Sequence, residues 1–341
     1  MSSMIGNKLK VSIFGESHGE AIGVVIDGLP SGYEIDLDYI NQQMNRRLPG
    51  RSSLSTKRKE EDEYKILSGL FEGKTTGTPL SAIINNMDKN SEDYGDRFKL
   101  RPGHGDYTGY IKYSSYNDYR GGGHFSGRIT APLLFAGSIA MQLLESKGIF
   151  IGSRIKSIYN IYDDNMEGID VDIIKNLRKM SFPVISSEKG ALMKTGIIEQ
   201  KEKKDSLGGI VETFIINIPA GYGEPFFDSV ESKISHIIFS IPAVKGIEFG
   251  AGFKIASLTG KEANDEFMVE NNKIITVTNN NGGILGGITN GMPIVFNTAI
   301  KPTPSIALPQ NTVDISSMKN TIINIKGRHD PCIVPRVIPV I

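Results

Sequence analysis

The chain has 341 residues, with 38 lysines and arginines against 38 aspartates and glutamates, so its formal net charge is zero. This balance argues against a general binder of nucleic acids, and a hydrophobic content of 39% is ordinary for a globular protein. The lone cysteine, Cys332, excludes an intrachain disulfide. The N-terminus has no apolar signal segment, and no uninterrupted apolar run is long enough to span a bilayer. We therefore expect a cytoplasmic protein without a membrane partner.

The first half of the chain gives clear secondary-structure signals. Residues 9–14 and 21–26 are short and rich in β-branched side chains, which predicts two strands around the turn GESHGE. Asp36 is placed to cap a helix that reaches about Leu48. The segment 131–147, which Thr130 can cap, predicts a second helix, and this helix should be buried because it is apolar on nearly every side.

The second half begins with a polar segment, 160–205, which predicts a surface excursion with one helix near 171–180. Strand-rich segments with clustered helices fit an α+β fold better than regular β-α-β alternation. The remaining predicted elements are a strand at 210–218, a helix at 227–241 and strands near 247–257 and 292–298.

One stretch of the sequence has an internal counterpart. VVIDGLPSGYEIDLDYINQQM resembles IINIPAGYGEPFFDSVESKI, and each reads as a strand, a Pro-x-Gly-Tyr turn and a helix. Chance similarity between two common turns is one explanation. The other is a duplicated unit, which would give two pseudo-symmetric halves around a shared core.

The segment 45–59, NRRLPGRSSLSTKRK, is basic and contains no acid. A solvated loop is one explanation, because the acids at 60–63 follow directly. The lack of interleaved aromatic residues disfavours nucleic acid. A small polyanionic substrate fits better, since arginine matches carboxylates and phosphates. The cations are Arg46, Arg47, Arg51, Lys57, Arg58 and Lys59.

Three glycine-bounded loops each carry a histidine and a neighbouring carboxylate: FGESHGEA holds His18, LRPGHGDY holds His104, and GRHDP holds His329 beside Asp330. A single loop histidine is usually a surface residue, but three such loops indicate acid–base chemistry. HExxH, HxH and CxxC spacings are missing from the sequence, and the adjacent arginines would repel a cation. We therefore predict no metal site.

Three further loops suit anions. YRGGGHFSGRIT at 119–130 leads into the buried helix, whose positive end and free backbone N–H groups would attract a negative charge. NNNGGILGGITNG at 279–291 is a second glycine loop, and AIKPTPS at 299–305 offers a lysine and two hydroxyls to a phosphate monoester. None of them is a P-loop or a GxGxxG motif.

Taken together, FGESHG, RPGHGDY, YRGGGHFSGR, GGILGGITNG, KPTPS and GRHDPC resemble the motifs of the chorismate synthase family, in order from about residue 8 to 340. The resemblance implies the last step of the shikimate pathway. There, 5-enolpyruvylshikimate 3-phosphate loses phosphate and a C6 proton in a 1,4-anti elimination to give chorismate. It also implies reduced FMN without net redox change, an α+β fold in which 1–341 form a single β-α-β sandwich of two pseudo-symmetric halves, and a homotetramer.

The resemblance also assigns roles to residues. His18 would protonate the leaving phosphate, and His104 would donate a proton to the reduced flavin. Asp330, held by Arg328, would relay the C6 proton near flavin N5. The implied FMN contacts are His124, Phe125, Ser126, Ala243, Gly286, Lys301, Pro302, Thr303, Pro304, Ser305 and Arg328. The substrate ligands are Arg47 and Arg128 from the resemblance, with Arg51 added from its charge and proximity.

The sequence departs from the family pattern at His124 and Ser53, where many relatives have arginine. It ends at RVIPVI, so we expect the closing helix of the family to be absent. Two alternatives stay open: a flavin- or phosphate-binding module without activity, and a flavin oxidoreductase, for which a GxGxxG fingerprint is missing. Some family members reduce FMN with NADPH. Because the chain shows no extra reductase domain, we expect an external flavin reductant.

Overall fold

A computed structural model describes residues 3–48, 62–87, 97–325 and 329–341. Arg51, Ser53 and Arg328 lie outside these residues, so their predicted roles stay predictions. The chain divides into two compact units, and that all of it forms one domain also remains a prediction. The first unit comprises 1–142, 196–207 and 302–340, and the second comprises 143–195, 208–301 and 341.

Within the described residues, strands and helices alternate irregularly, as expected for an α+β fold. The strands are β1 (Met4–Ile5), β2 (Lys10–Gly15), β3 (Ala21–Asp27), β4 (Tyr64–Ser68), β5 (Leu70–Phe71), β6 (Lys74–Thr75), β7 (Leu80–Asn85), β8 (Phe150–Ile158), β9 (Ile161–Tyr162), β10 (Gly209–Ile216), β11 (Val244–Phe249), β12 (Phe267–Glu270), β13 (Lys273–Thr276), β14 (Ile284–Leu285), β15 (Ile288–Thr289), β16 (Ile294–Ile300), β17 (Gln310–Asp314) and β18 (Lys319–Ile323). The α-helices are α1 (Leu37–Arg47), α2 (Asp106–Lys112), α3 (Thr130–Glu145), α4 (Val171–Lys179), α5 (Ser187–Glu202), α6 (Val230–Ile238), α7 (Gly260–Ala263) and α8 (Val334–Val337).

The first unit is built on an antiparallel sheet with the strand order β1-β2-β3-β7-β4. Its central strand β3 buries Ile22, Val24 and Ile26, which alternate along the strand and face the core. The predicted helix is confirmed as α1, where the carboxylate of Asp36 accepts a hydrogen bond from the backbone N–H of Tyr39.

The second unit has its own antiparallel sheet, in the order β11-β16-β10-β8-β9. Its interior contains a buried ion network on β8 and β10. Arg154, which is 1% exposed, donates to Glu212 at 2.7 Å and to Asp163 at 2.7 Å. The two carboxylates supply the partners that a buried guanidinium requires.

Both predicted counterpart turns are present, and each forms three hydrogen bonds with a threonine of a two-stranded hairpin, which clamp the turn to the hairpin. In the first unit, the Gly32 N–H donates to the Thr75 carbonyl at 2.7 Å. The Tyr33 N–H donates to the Thr75 hydroxyl at 3.0 Å, and that hydroxyl donates to the Pro30 carbonyl at 2.5 Å. The turn that follows β3 is therefore bonded to the β5–β6 hairpin.

The second unit repeats the same three bonds. The Gly221 N–H donates to the Thr289 carbonyl at 2.9 Å, and the Tyr222 N–H donates to the Thr289 hydroxyl at 2.9 Å. The hydroxyl donates to the Pro219 carbonyl at 2.7 Å. The strands before the two turns, β3 and β10, are each the central strand of a five-stranded sheet. The two units therefore share the position of this strand in the sheet as well as the turn that follows it.

The prediction for 160–205 was wrong in one respect. The structure has two helices there, α4 and α5, and not one. Met193 and Ile197 of α5 are fully buried, although its apolar residues form no continuous stripe. The strand predicted at 247–257 ends at Phe249, because Gly250 and Gly252 take positive φ and begin a short 3₁₀ segment.

One helical stretch of the described residues, Gly127–Glu145, is long and apolar enough to cross a membrane by length and composition, with a mean hydropathy of 1.2. Polar residues, among them Arg128, Ser138 and Gln142, interrupt its apolar sequence. Its apolar window is 61% buried inside the protein, which matches the prediction of a buried core helix.

We predict that Thr75→Val and Thr289→Val each lower the free energy of unfolding by about 1–3 kcal/mol, because each removes two side-chain hydrogen bonds, which typically contribute about 0.5–1.5 kcal/mol apiece. Urea denaturation followed by circular dichroism measures this. Thr76→Val, at an exposed neighbour, is the control and should stay within about 0.5 kcal/mol of the parent. If either clamp variant matched the control, the bonds would contribute no net stability.

Candidate functional site

His18 lies in the turn between β2 and β3 and is 6% exposed. Its Nδ1 is 3.1 Å from the hydroxyl oxygen of Ser17, which is 3.3 Å from the carbonyl oxygen of Arg120. A carbonyl can only accept, so the hydroxyl hydrogen points to Arg120 and the Nδ1–H of His18 donates to the hydroxyl oxygen. Ser17 therefore sets the tautomer and the ring orientation of His18.

The glycine loop 120–125 closes over His18. A Cβ at Gly121 would lie 2.1 Å from Cε1 and 2.3 Å from Nδ1 of the imidazole, so only glycine fits there. Gly121 also takes a φ of 58°, in the left-handed region that favours glycine. The Ser17 N–H donates to the Gly123 carbonyl at 3.2 Å, which joins the two loops.

His104 precedes α2 and is held at both ring nitrogens. Nδ1 donates to the Pro102 carbonyl at 3.0 Å, because that oxygen can only accept. Nε2 lies 2.7 Å from the hydroxyl oxygen of Ser305, and the protonation state of the ring decides which of the two groups donates. The structure thus brings together a predicted acid–base residue and a predicted flavin contact that are 201 positions apart.

The two charged neighbours of His104 pair with each other. Arg101 donates to the Asp106 carboxylate through Nε at 2.8 Å, its NH2 group at 2.7 Å and its backbone N–H at 2.9 Å. Burial raises the pKa of Asp106, but the hydrogen bonds and charge of Arg101, together with the charge of His104, bring it below its ordinary value. Asp106 therefore stays negative beside the histidine.

Arg47 and Arg128, the predicted substrate ligands, share a buried carboxylate. Arg47 lies 2.5 Å from one oxygen of Asp62, and Arg128 pairs with the other. Asp62 has a side chain that is 1% exposed, and the arginines are 3% and 8% exposed. Arg47 also donates to Thr130 at 2.9 Å and to the Gly127 carbonyl at 3.1 Å. That these arginines contact substrate remains a prediction, and the structure gives both an internal partner.

Asp330 is 7% exposed and forms an ion pair with Arg336 of α8. The family resemblance implies that Arg328 holds this carboxylate, and Arg328 lies outside the described residues. Arg336 is anchored on its other side, where its Nε donates to the Arg47 carbonyl at 2.9 Å.

The predicted flavin contacts fall in both units. In the first, the exposed His124 has Nδ1 2.8 Å from the Gly15 carbonyl and Nε2 3.1 Å from the hydroxyl of Ser3. Thr303 has a buried hydroxyl without a hydrogen-bond partner among the described residues, while its carbonyl accepts from Ser206 at 2.7 Å. The other members of this unit are Phe125, Ser126, Pro302, Pro304 and Ser305.

In the second unit, Ala243 takes a φ of 74° and its carbonyl accepts from the Lys301 N–H at 2.9 Å. Burial, and then the nearby charge of Lys245, lower the pKa of Lys301. Gly286 sits at the tip of the β14–β15 hairpin with a φ of 62°, and a Cβ there would meet no atom within 4 Å. The backbone at this tip is therefore open to a close approach.

Three residues of this arrangement were missed as site residues. Ser17 carried a signal, since it adjoins His18 in the same loop. The sequence indicated Asp62 only as one of the acids at 60–63 that balance the basic segment. Nothing in the sequence around Arg336 indicated that it pairs with Asp330, because folding brings the two side chains together. Among the described residues, no group of three or more metal-ligating side chains could hold a metal ion.

The fold is that of a known class of lyase. A solved crystal structure of chorismate synthase is similar to this chain with a TM-score of 0.76 and 28% sequence identity, covering 98% of this chain and 88% of the other. At this level the similarity extends over the whole α+β architecture.

The sequence matches the profile of the chorismate synthase family over residues 9–341. It is 45% identical to the chorismate synthase of Thermococcus kodakarensis, covering 99% of this chain and 94% of that protein. It is 46% identical to that of Methanobrevibacter smithii (98% and 92%) and 44% identical to that of Dehalococcoides mccartyi (100% and 93%). The chain belongs to the chorismate synthase family, and its activity is the elimination of phosphate from 5-enolpyruvylshikimate 3-phosphate to give chorismate.

We predict that Asp106→Asn lowers the free energy of unfolding at pH 7 by roughly 1.5–3 kcal/mol, because the bonds of Arg101 to a charged acceptor are lost. The folded pKa of Asp106 is below its model-peptide value of 3.8, so the contribution is complete above that value and disappears as the pH falls through the folded pKa. Urea titrations between pH 7 and pH 2 measure the difference. Asp27→Asn, at an exposed position, is the control. A difference between parent and variant that did not shrink in acid would contradict the prediction.

Proposed function

We propose that the chain carries out this elimination with reduced FMN as its cofactor and with His18, His104 and Asp330 as its acid–base residues. The contact between His104 and Ser305 is the observation that supports this most directly. The resemblance names the first as the proton donor to the flavin and the second as a flavin contact. The hydrogen bond of 2.7 Å between Nε2 of His104 and the hydroxyl of Ser305 supports this pair of assignments.

The described residues fit a flavin that carries a phosphate. The hydroxyl of Thr303, which has no partner among the described residues, can donate to a phosphate oxygen, and Lys301 offers a cation two residues earlier in the sequence. Gly286 presents open backbone to a planar group. When bound, reduced FMN supplies electron density to the substrate as phosphate leaves. The protein supplies binding, orientation and protons.

Each acid–base residue has a distinct part in the proposal. His18, oriented through Nδ1 by Ser17, protonates the leaving phosphate. His104, oriented through Nδ1 by the Pro102 carbonyl, holds its transferable proton on Nε2. Asp330 accepts the proton that originates at C6. Arg47, Arg51 and Arg128 attract the substrate, whose phosphate and two carboxylates match a cationic environment.

We also propose that the enzyme is a homotetramer. The number four comes from the family resemblance, and the support in this chain is exposed apolar surface on the second unit. The β12–β13 hairpin exposes Phe267 by 64%, Val269 by 73% and Ile274 by 70%, with Val269 opposite Ile274 in the ladder. An isolated two-stranded hairpin is marginally stable in water, so a second copy would both cover and stabilise it.

An external reductant and a cytoplasmic location complete the proposal. A nicotinamide-binding Rossmann domain uses a parallel sheet, whereas both five-stranded sheets of the described residues are antiparallel. This supports delivery of reduced flavin from outside, and not reduction by NADPH on this chain. A single buried cysteine, with a pKa that burial raises to about 12, is consistent with a reducing compartment.

The activity is tested anaerobically with 5-enolpyruvylshikimate 3-phosphate and chemically reduced FMN, by following chorismate absorbance and phosphate release. We expect many turnovers without lasting oxidation of the flavin, and none with NADPH and oxidised FMN alone. In the same assay His104→Ala should lose about 10²- to 10⁴-fold in rate, the usual cost of removing a positioned acid. His236→Ala, at an exposed histidine on α6, is the matched control.

Three results would contradict parts of this proposal. A loss of less than about fivefold in His104→Ala, with FMN kept reduced, would remove its acid–base assignment. Tight binding of FMN and substrate without product would indicate a binding module without activity. Steady consumption of NADPH would indicate a flavin oxidoreductase.

We predict that Ile274→Lys reduces the mass of the assembly from four chains of 37.3 kDa to a smaller oligomer, because it introduces a charge into the covered hairpin. Light scattering coupled to size-exclusion chromatography measures the mass. Ile322→Lys is the control, since Ile322 is also exposed on a two-stranded hairpin but pairs with the polar Asn311. An unchanged tetramer of the Ile274 variant would exclude the β12–β13 hairpin from the interface.

A further inference from the structure

We infer that Arg336 is a positioning residue for Asp330. The inference rests on the proposed role of Asp330 as the residue that accepts the C6 proton. Arg336 and Asp330 form an ion pair through a terminal guanidinium nitrogen and Oδ2. Neither the sequence motifs nor the family resemblance pointed to Arg336.

The guanidinium is fixed from two directions. Its NH1 group binds Asp330, and its Nε donates to the main-chain carbonyl of Arg47 at 2.9 Å. Because the guanidinium is planar and rigid, two bonds to different partners determine both its position and its orientation. The carboxyl group is then held against rotation, because Oδ2 stays bonded to a fixed donor.

The segment that carries Arg336 is anchored in the core. Val334 is fully buried, Val337 is 8% exposed and Cys332 is 4% exposed. The Pro331 carbonyl accepts from the Leu207 N–H at 2.8 Å, immediately after Asp330 in the sequence. The arginine therefore projects from a rigid support, as a positioning residue must.

The burial of the pair explains why its geometry matters for the rate. The side chain of Asp330 is 6% exposed, and that of Arg336 is 25% exposed. Without the Arg336 guanidinium, Oδ2 of the buried carboxylate is released and can turn toward another donor or toward water. Misplacement of a reacting group by about 1 Å can cost about 10²-fold in rate.

The test uses the full chain with substrate and reduced FMN. We expect Arg336→Met to lower kcat by about 10- to 100-fold while KM for the substrate changes by less than about threefold, because the lost interaction orients a reacting group and binds no substrate. Arg336→Lys keeps the charge without the two-sided hold and should recover only part of the rate. Guanidinium ion at millimolar concentration should partly restore kcat in Arg336→Ala.

Arg178→Met is the matched control. Arg178 has the same arrangement in the second unit, with Nε on the Ile151 carbonyl at 2.9 Å and NH1 on Glu145 at 2.6 Å. We expect it to lower the melting temperature and to leave kcat unchanged. If Arg336→Met also lowered only the melting temperature, with kcat kept within about threefold, Arg336 would be merely structural and the inference would be wrong.

A double variant separates the inference from the proposed function. Asp330→Asn should be slow by itself, and Arg336→Met should then add little further loss, because the arginine acts through the aspartate. Losses that simply multiply would overturn the inference and leave the role of Asp330 intact. An Asp330→Asn variant within about fivefold of the parent would overturn the proposed role of Asp330 and, with it, the inference.

Discussion

The first unit depends on one buried carboxylate that two buried arginines share. Removing Asp62 would break both buried ion pairs, and the loss of one partner from a buried pair typically costs about 3–5 kcal/mol. Both arginines also connect Asp62 to other residues of the first unit. The Arg47 carbonyl receives Arg336, and the Nε of Arg128 donates to Asn86 at 3.1 Å, whose amide group donates to the carbonyls of the His18 turn. One polar network thus runs from that turn to Asp330.

Two glycine motifs about a hundred residues apart are explained by one steric requirement. The imidazole of His18 occupies the space that a side chain at Gly121 would need, so the loop 120–125 can close only if that residue is glycine. The same loop contributes the Arg120 carbonyl, to which Ser17 donates. The orientation of His18 and the closure of the loop 120–125 therefore depend on each other. Each of the two glycine motifs can be interpreted only together with the other.

The sequence predicted the elements whose signal is local. The helix after Asp36 and the two Pro-x-Gly-Tyr turns were identified because helix caps and turns are determined by residues that are close together in the sequence. Helix α5 was missed because its apolar residues include exposed ones, such as Leu192 and Ile198, and therefore form no clear stripe in the sequence. Thr75, Thr289 and Asp62 carried no signal of their importance, since their partners are distant in the chain. The partners of predicted residues, such as Ser305 for His104, likewise follow from tertiary folding.

The duplicated turn indicates that the two units derive from one repeated segment, each copy with its own hairpin beside the bonded threonine. These hairpins have diverged at the tip. Glu72 and Gly286 occupy the same position, each with positive φ in a two-residue turn, but only the first carries a carboxylate. A negative side chain would repel a phosphate-bearing cofactor, whereas bare backbone admits it. On the proposed cofactor assignment, this divergence leaves only the hairpin of the second unit open to the flavin.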